Sequence, residues 1–406
     1  MTASEAPHAA HPSGACPVTG ARRLPSDGVP LRPSPTLAAW RREGAITPLT
    51  FADGHDGWIA TRFGSAHDLL ANPAFSRTPT DRLPLEGHGT IELDDRALES
   101  LRVASILDQD GEQHARLRRA LTARFSVKAA RALRPFVEEL VARTLDEFLA
   151  REDSPADLNE HYAQPISAAV HARVLGIPDS HRAAFIELVL TPTTPQQKFD
   201  LLREVIRLRR EEPGDDLLSD LVRSELSPSE IEGLAFVVTT SGRDSVAYMI
   251  ATTTVALLTH PEQLARLRAQ PELVETAVEE FLRVGAMFLT LFPRTATEDV
   301  EVEGTTMHRG ETVVVSPVAV NRDPERFAEP DAFDITRDAF GHLGFGFGIH
   351  GCVGQQVARV EIREAIGQLI RRAPALRLVE ADQTSPMPFA NQVGTYEAGR
   401  VLVDWH

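Results

Sequence analysis

The sequence predicts a mainly α-helical fold with small β-sheets. Three observations carry that expectation: a capped apolar stretch from Ser227 to about Leu258, an amphipathic run after Cys352, and ordinary strand patterns near Gly304. Helical spacing sustained over long stretches, against short strand-like runs, favours helix over sheet.

Residues 1 to about 30 are rich in Ala, Pro, Ser and Gly and lack the apolar stretch of a signal peptide. A flexible tail is therefore expected over 1–30 and one folded body over 31–406. In Asp110-Gly-Glu-Gln-His-Ala-Arg-Leu-Arg, His114 and Arg118 lie four apart and share a helical face. Taken alone, that is a solvated helix surface. Two short helices are expected at about 180–190 and 197–211, joined by Thr-Pro-Thr-Thr-Pro-Gln.

Ser227-Pro228-Ser229-Glu230 is a capping box with Pro at the first helical position, so a helix starts there. It is interrupted at Ser241-Gly242-Arg243-Asp244-Ser245. A glycine inside a helix costs about 1 kcal/mol against alanine, and a groove for a ligand explains it better than accident. A further helix, begun by Pro271, carries apolar Ala277, Val278, Phe281 and Leu282 and sets Glu280 and Arg283 three apart. Exposed, such a pair would contribute only about 0.2–0.5 kcal/mol. Val300-Glu-Val-Glu and Thr312-Val-Val-Val-Ser read as strands flanking the Gly304 turn.

The most informative segment is Phe345-Gly-Phe-Gly-Ile-His-Gly-Cys-Val-Gly. Its four glycines let backbone pass close to a bulky group, and Cys352 precedes a helical run through Val357, Ile362, Ala365, Ile366 and Leu369. A thiol at a helix start is expected to have a lowered pKa, because the helix dipole favours the thiolate. Such a thiolate suits haem iron, with Phe345 supplying a dry surround. Gly346, Gly348 and Gly351 also spell G-x-G-x-x-G, but a dinucleotide site needs a preceding strand and an onward βαβ unit. A P-loop needs Gly-Lys-Ser/Thr, which Gly-Cys-Val is not. A lone helical cysteine is more often a small buried hydrophobe.

The pattern Phe345-x-x-Gly348-x-x-x-Cys352-x-Gly354 resembles the haem-binding signature of the cytochrome P450 family. The resemblance extends over roughly residues 30 to 406 and looks like the soluble bacterial class. It implies a single large domain that binds haem b with Cys352 as the axial iron ligand. Glu280-x-x-Arg283 resembles the family's Glu-x-x-Arg, and Asp334-Ile-Thr-Arg337 its downstream partner; together they imply a buried triad of Glu280, Arg283 and Arg337. His114, Arg118, Arg294 and His350 match the family's haem-propionate partners. Ser241 to Ser245 resembles Ala/Gly-Gly-x-Asp/Glu-Thr, placing Gly242 over the iron and giving Asp244 and Ser245 proton delivery. Serine replaces the usual threonine there, and Val246 the usual following Thr or Ser, so the hydroxyl is less restrained. Pocket-lining positions would be Ala286, Met287, Phe288, Leu289, Phe292, Phe389, Asn391 and Gln392.

The net charge of −16 argues against nucleic acid. No run approaches 18 apolar residues, so no membrane span is expected. Only Cys16 and Cys352 are present, which fits a reducing cytoplasm. The expected activity is a monooxygenase of secondary metabolism acting on a bulky, aromatic or peptide-like substrate. Its electrons would come from NAD(P)H through ferredoxin reductase and a ferredoxin, and the protein would be a monomer. Coupling of aromatic rings on the same scaffold and a haem protein that does not turn over are the alternatives. Arg116, Arg119 and Arg124 are expected to form a basic patch for the ferredoxin, and the polar segment 79–105 to be mobile beside the pocket.

Overall fold

The computed structural model describes residues 22–77, 92–383, 387–389 and 393–406. Among these, the helices in chain order are α1 (Pro35–Glu43), α2 (Phe63–Ala71), α3 (Asp95–Ala104), α4 (Gly111–Thr122) and α5 (Val127–Leu149). Then come α6 (Gln164–Leu175), α7 (Asp179–Leu190), α8 (Pro195–Glu211), α9 (Leu217–Arg223), α10 (Pro228–Ser241) and α11 (Arg243–Thr259). The last are α12 (Pro261–Ala269), α13 (Val274–Val284), α14 (Pro317–Val320) and α15 (Gln355–Arg372). Several begin on a side-chain cap, which satisfies amides that a helix start leaves open. The box at α10 is complete: Ser227 Oγ accepts from the Glu230 amide at 3.3 Å, and Glu230 Oε2 from the Ser227 amide at 2.7 Å. Thr194 and Gln197 form a second box at α8. The two short helices expected from the sequence are α7 and α8.

The strands are short. They are β1 (Gly28–Val29), β2 (Arg32–Pro33), β3 (Ile46–Thr50), β4 (Asp56–Ala60), β5 (Phe75–Ser76), β6 (Ala156–Asp157) and β7 (Arg294–Ala296). After them follow β8 (Val300–Val302), β9 (Thr305–Met307), β10 (Thr312–Val315), β11 (Arg377–Ala381), β12 (Met387–Phe389), β13 (Val393–Thr395) and β14 (Val401–Asp404). The largest sheet has the order β3-β4-β10-β7-β5. Gly304 does make a hairpin, but between β8 and β9. The 312 strand instead runs parallel to β4 and antiparallel to β7, where Val313, Val314 and Val315 are buried. Its three valines bury more apolar surface inside a sheet than a two-stranded hairpin could offer.

Residues before 30 are also part of the body. The Thr50 amide donates to Arg22 O at 2.8 Å, Arg22 pairs with Glu43 at 2.7 Å, and β1 pairs with β2. The folded region therefore starts by residue 22. Cys16 lies outside the described residues. No helix among the described residues is long and apolar enough to cross a membrane.

At the centre, α11 is buried almost all round, from Val246 to Leu257, and packs on α6, α13 and α15. The adjoining α13 carries Glu280 and Arg283, both with no exposed surface. Arg283 forks onto Glu280 at 2.7 and 2.8 Å and spends its other donors on the carbonyls of Asn321, Pro330 and Ala332. Arg337 reaches the same Glu280 Oε1 at 3.1 Å and also binds the carbonyls of Ala328 and Glu329. Two arginines on one carboxylate thus pin residues 321 to 337.

The segment around 95–104 is not loose. Asp94 caps α3 and accepts two hydrogen bonds from Arg203 of α8, at 2.5 and 2.8 Å. Arg203 also reaches the buried Glu232 of α10 at 3.1 Å, which Arg96 engages from α3. This network holds the Asp94 carboxyl well below its ordinary range, through Arg203 first. The expectation of mobility fails for α3 because its partners lie about a hundred residues away in sequence. Residues 78–91 lie outside the described region.

Glu361 of α15 is the opposite case to Glu280. It is buried, one of its oxygens has no hydrogen-bond partner, and burial pushes its pKa well above the usual carboxylate range. With the folded pKa raised above an unfolded value of about 4.3, its contribution is full below that value and is lost as pH rises. Glu361→Gln should therefore raise the melting temperature, and the gain should grow between pH 5 and pH 8. A gain independent of pH, measured by thermal unfolding, would contradict a neutral buried carboxyl.

Candidate functional site

The loop before α15 is shaped for close approach. Gly348 has φ +74, and a Cβ there would meet Leu70 O of α2 at 2.5 Å, so only glycine fits. The Cys352 amide donates to Phe345 O at 2.8 Å, which folds the loop back on itself. Arg359 lies over the Phe345 ring at 4.6 Å and is held by Glu279 at 2.7 and 2.9 Å. Cys352 stands three residues ahead of α15, as expected. It is deep in the protein yet keeps accessible surface, as a group on the wall of an internal cleft does.

Its acidity differs from expectation. Burial pushes the thiol above its ordinary pKa, against the opposing pull of the Gly354 and Gln355 amides and of Arg118 and Arg359. Helix-start amides favour a thiolate, but here desolvation outweighs them.

Around this thiol gathers a set of donors. His114 and Arg118 come from α4, Arg294 from β7 and His350 from the loop itself. The His114 and His350 rings lie 4.3 Å apart. His350 Nε2 meets Asp110 Oδ1 at 3.0 Å. Burial, followed by His350 and Arg118, lowers His114 to a pKa of about 4, so it is neutral at pH 7. Arg294 is 6 % exposed, and among the described residues its one side-chain hydrogen bond is a long 3.5 Å contact to Phe75 O. Burial, then Arg77, brings its pKa down to about 10. Neither Arg294 nor Arg118 has a carboxylate within ion-pair distance among the described residues. A buried arginine with no carboxylate in ion-pair distance is costly, and Arg294 suits an incoming carboxylate.

On the other side, the long helix breaks between α10 and α11 at Gly242. Asp244 pairs with Arg243 and its side chain is 61 % exposed. Ser245 Oγ donates to Gly242 O at 3.1 Å. A glycine loop offering one sulfur, with cationic donors for two carboxylates beside it, fits haem in its donor chemistry.

The Cytochrome P450 family model matches residues 179–388. Cytochrome P450 105C1 of a Streptomyces species is 36% identical over 386 residues, covering 92% of this chain and 95% of that one. The chain belongs to the cytochrome P450 family. The 6-deoxyerythronolide B hydroxylase of Saccharopolyspora erythraea is 35% identical over 86% of this chain and 90% of its own length. The solved structure of CYP105P1 in complex with filipin I has a TM-score of 0.82 at 31% identity, covering 95% of this chain and 99% of that one. As a P450, the protein binds haem b.

Not every residue singled out from the sequence meets the pocket. The Leu289 amide donates to Gly394 O and the Tyr396 amide to Met287 O, which brings β13 against the segment after α13. Phe288 bridges to Thr395 and lies 6.0 Å from Phe292. Ala286 and Leu289, however, are 2 % exposed and belong to the core, so they do not line an open cavity. Met287 packs on the same core. Phe389 sits on β12, while Asn391 and Gln392 lie outside the described residues.

The expected basic patch is largely neutralised. Arg116 is taken up by Glu230 and the Glu225 carbonyl, and Arg124 by Asp220 and Asp215 at 2.5 and 2.7 Å. Arg119 is exposed, with no such partner among the described residues. The acids that neutralise this face sit on α10, on α9 and in the turn just before α9, out of reach of a helix-face argument.

Two residues near the donors carried no sequence signal. Arg77 is 7 % exposed, pairs with Asp108 at 2.8 Å and lies over Phe292 at 5.1 Å. Asp110 accepts from the Arg77 amide at 2.6 Å and ties it to His350. Hydrogen bonds to charged groups contribute about 1.5–3 kcal/mol each. His114→Ala with Arg118→Ala should therefore speed haem loss to an excess of apomyoglobin by about 10² to 10⁴. An unchanged rate would place the carboxylates elsewhere.

Proposed function

We propose that the protein is a monooxygenase that oxidises a bulky natural product, with electrons delivered by a ferredoxin and its reductase. The observation that carries this reading is the pair of arginines beside the glycine-loop thiol of Cys352, the buried Arg294 and the half-buried Arg118, with no carboxylate in ion-pair distance of either among the described residues. When bound, haem supplies the activation of dioxygen and the oxidation of a substrate carbon.

The chain's own residues do the rest. Cys352 would supply the sulfur ligand to the haem iron, and the loop hydrogen bond to Phe345 O holds its backbone in place. His114, Arg118, Arg294 and His350 would hold the two carboxylates of the haem. His114 would donate a hydrogen bond to one of them. Phe345 and Arg359 cover the sulfur side. Ser245 holds a hydroxyl proton at the helix break, and Asp244, open to water beside Arg243, replenishes it. Such proton handling is typically worth 10² to 10⁴ in rate.

The substrate class rests on two kinds of support. Relatives carry names such as 6-deoxyerythronolide B hydroxylase, and solved relatives include a complex with filipin I and one with mycinamicin V. In this chain Phe288 and Phe292, both partly exposed, provide aromatic surface that suits a large ring system. Turnover with NADH, a ferredoxin and its reductase should add one oxygen atom to a macrocyclic or polycyclic substrate, read by mass spectrometry under labelled dioxygen. Loss of two hydrogens without oxygen incorporation would show aromatic coupling instead. In Asp244→Asn and Ser245→Ala, electrons should pass largely to peroxide and water while substrate binding is kept. Full coupling in both variants would remove these residues from proton delivery.

A further inference from the structure

In a continuous helix the Gly242 amide would donate back to Val238 O. Here that bond is not made. His171 of α6 takes its place: its Nε2 lies 2.8 Å from Val238 O. A carbonyl only accepts, so the hydrogen on this nitrogen is assigned by its partner. The ring also fills the space over the break, since a Cβ on Gly242 would come within 2.4 Å of His171 Cε1. One turn earlier on the same face of α6, the buried Ser167 donates its hydroxyl to Arg243 O at 2.9 Å. Two side chains four apart on α6 thus occupy two carbonyls on either side of Gly242.

We propose that His171 and Ser167 form a clamp that holds the break between α10 and α11 open, and that His171 is a positioning residue for Ser245 and Asp244. The glycine at 242 is then required by the imidazole packed against it as well as by whatever binds on the far side. Without the clamp, the Gly242 amide can return to Val238 O, and the helix closes through the segment that bears the hydroxyl and the acid. The link to proton handling rests on the function proposed above; the clamp itself does not.

The test uses the holoenzyme and two replacements at His171, compared with wild type. His171→Phe keeps a ring of similar size but no donor, and His171→Gln keeps a donor able to reach a carbonyl. Hydrogen exchange across 238–246 should change by roughly fivefold in the Phe variant, the scale of one hydrogen bond, and stay within about twofold of wild type in the Gln variant. The fraction of electrons reaching product should fall in the Phe variant and recover in the Gln variant, at unchanged haem content. Identical exchange in all three proteins would overturn the clamp. Altered exchange with unaltered coupling would keep the clamp and remove its role in positioning Ser245 and Asp244. As an independent check, Gly242→Ala should lower thermal stability, and adding His171→Ala should restore part of the loss, because the clash is with that ring. Additive losses in the double variant would also overturn the proposal.

Discussion

Everything proximal to the cysteine depends on one carboxylate. Glu280 is fully buried and receives two arginines, Arg283 and Arg337, together with the Asp334 amide at 3.1 Å. Taking these charges out of water costs several kcal/mol per ion, and only complete pairing and hydrogen bonding offsets it. Removing any one member would strand the others. The arrangement is therefore all or none, and it carries the chain from α13 through residues 321 to 337. Asn321 extends it: its carbonyl accepts from Arg283, and its side-chain oxygen accepts from the Leu343 amide at 2.7 Å. Leu343 opens the loop that ends at Cys352, so the position of the sulfur is set from α13.

A second constraint is charge placement. The protein is strongly acidic as a whole, yet its interior beside Cys352 gathers Arg77, Arg118, Arg294, His114 and His350 against Asp108 and Asp110. Each of these cations and imidazoles is penalised by burial in the protein as it stands. So is the thiolate form of Cys352. A site that strains its own groups in this way gains most from a ligand bearing both a metal cation and two carboxylates, because bound metal ionises a thiol outright and the carboxylates meet waiting donors.

Local patterns were legible in the sequence, and distant pairings were not. The capping box at Ser227, the two short helices α7 and α8, the cysteine ahead of α15 and the Glu280 and Arg283 pair all follow from spacings of three or four residues. The partner of the 312 strand did not, because any neighbouring run could have paired with it. Nor did the staple of Arg203 to Asp94, the neutralisation of Arg116 and Arg124, or the fit of His171 against Gly242. The thiol shows the same limit: helix position fixes the sign of one contribution, but only the packed structure reveals the burial that opposes it. Ala286 and Leu289 looked like pocket residues by position alone, and the return of β13 closed them into the core.

The central claim is that Cys352 presents its sulfur to haem iron. The ferrous carbon monoxide spectrum tests it most directly. The account predicts the strongly red-shifted Soret band of a thiolate-ligated haem in the wild-type protein, and its replacement by an ordinary band in Cys352→His. An ordinary band in freshly reduced wild type, or a shifted band that survives in Cys352→His, would contradict it.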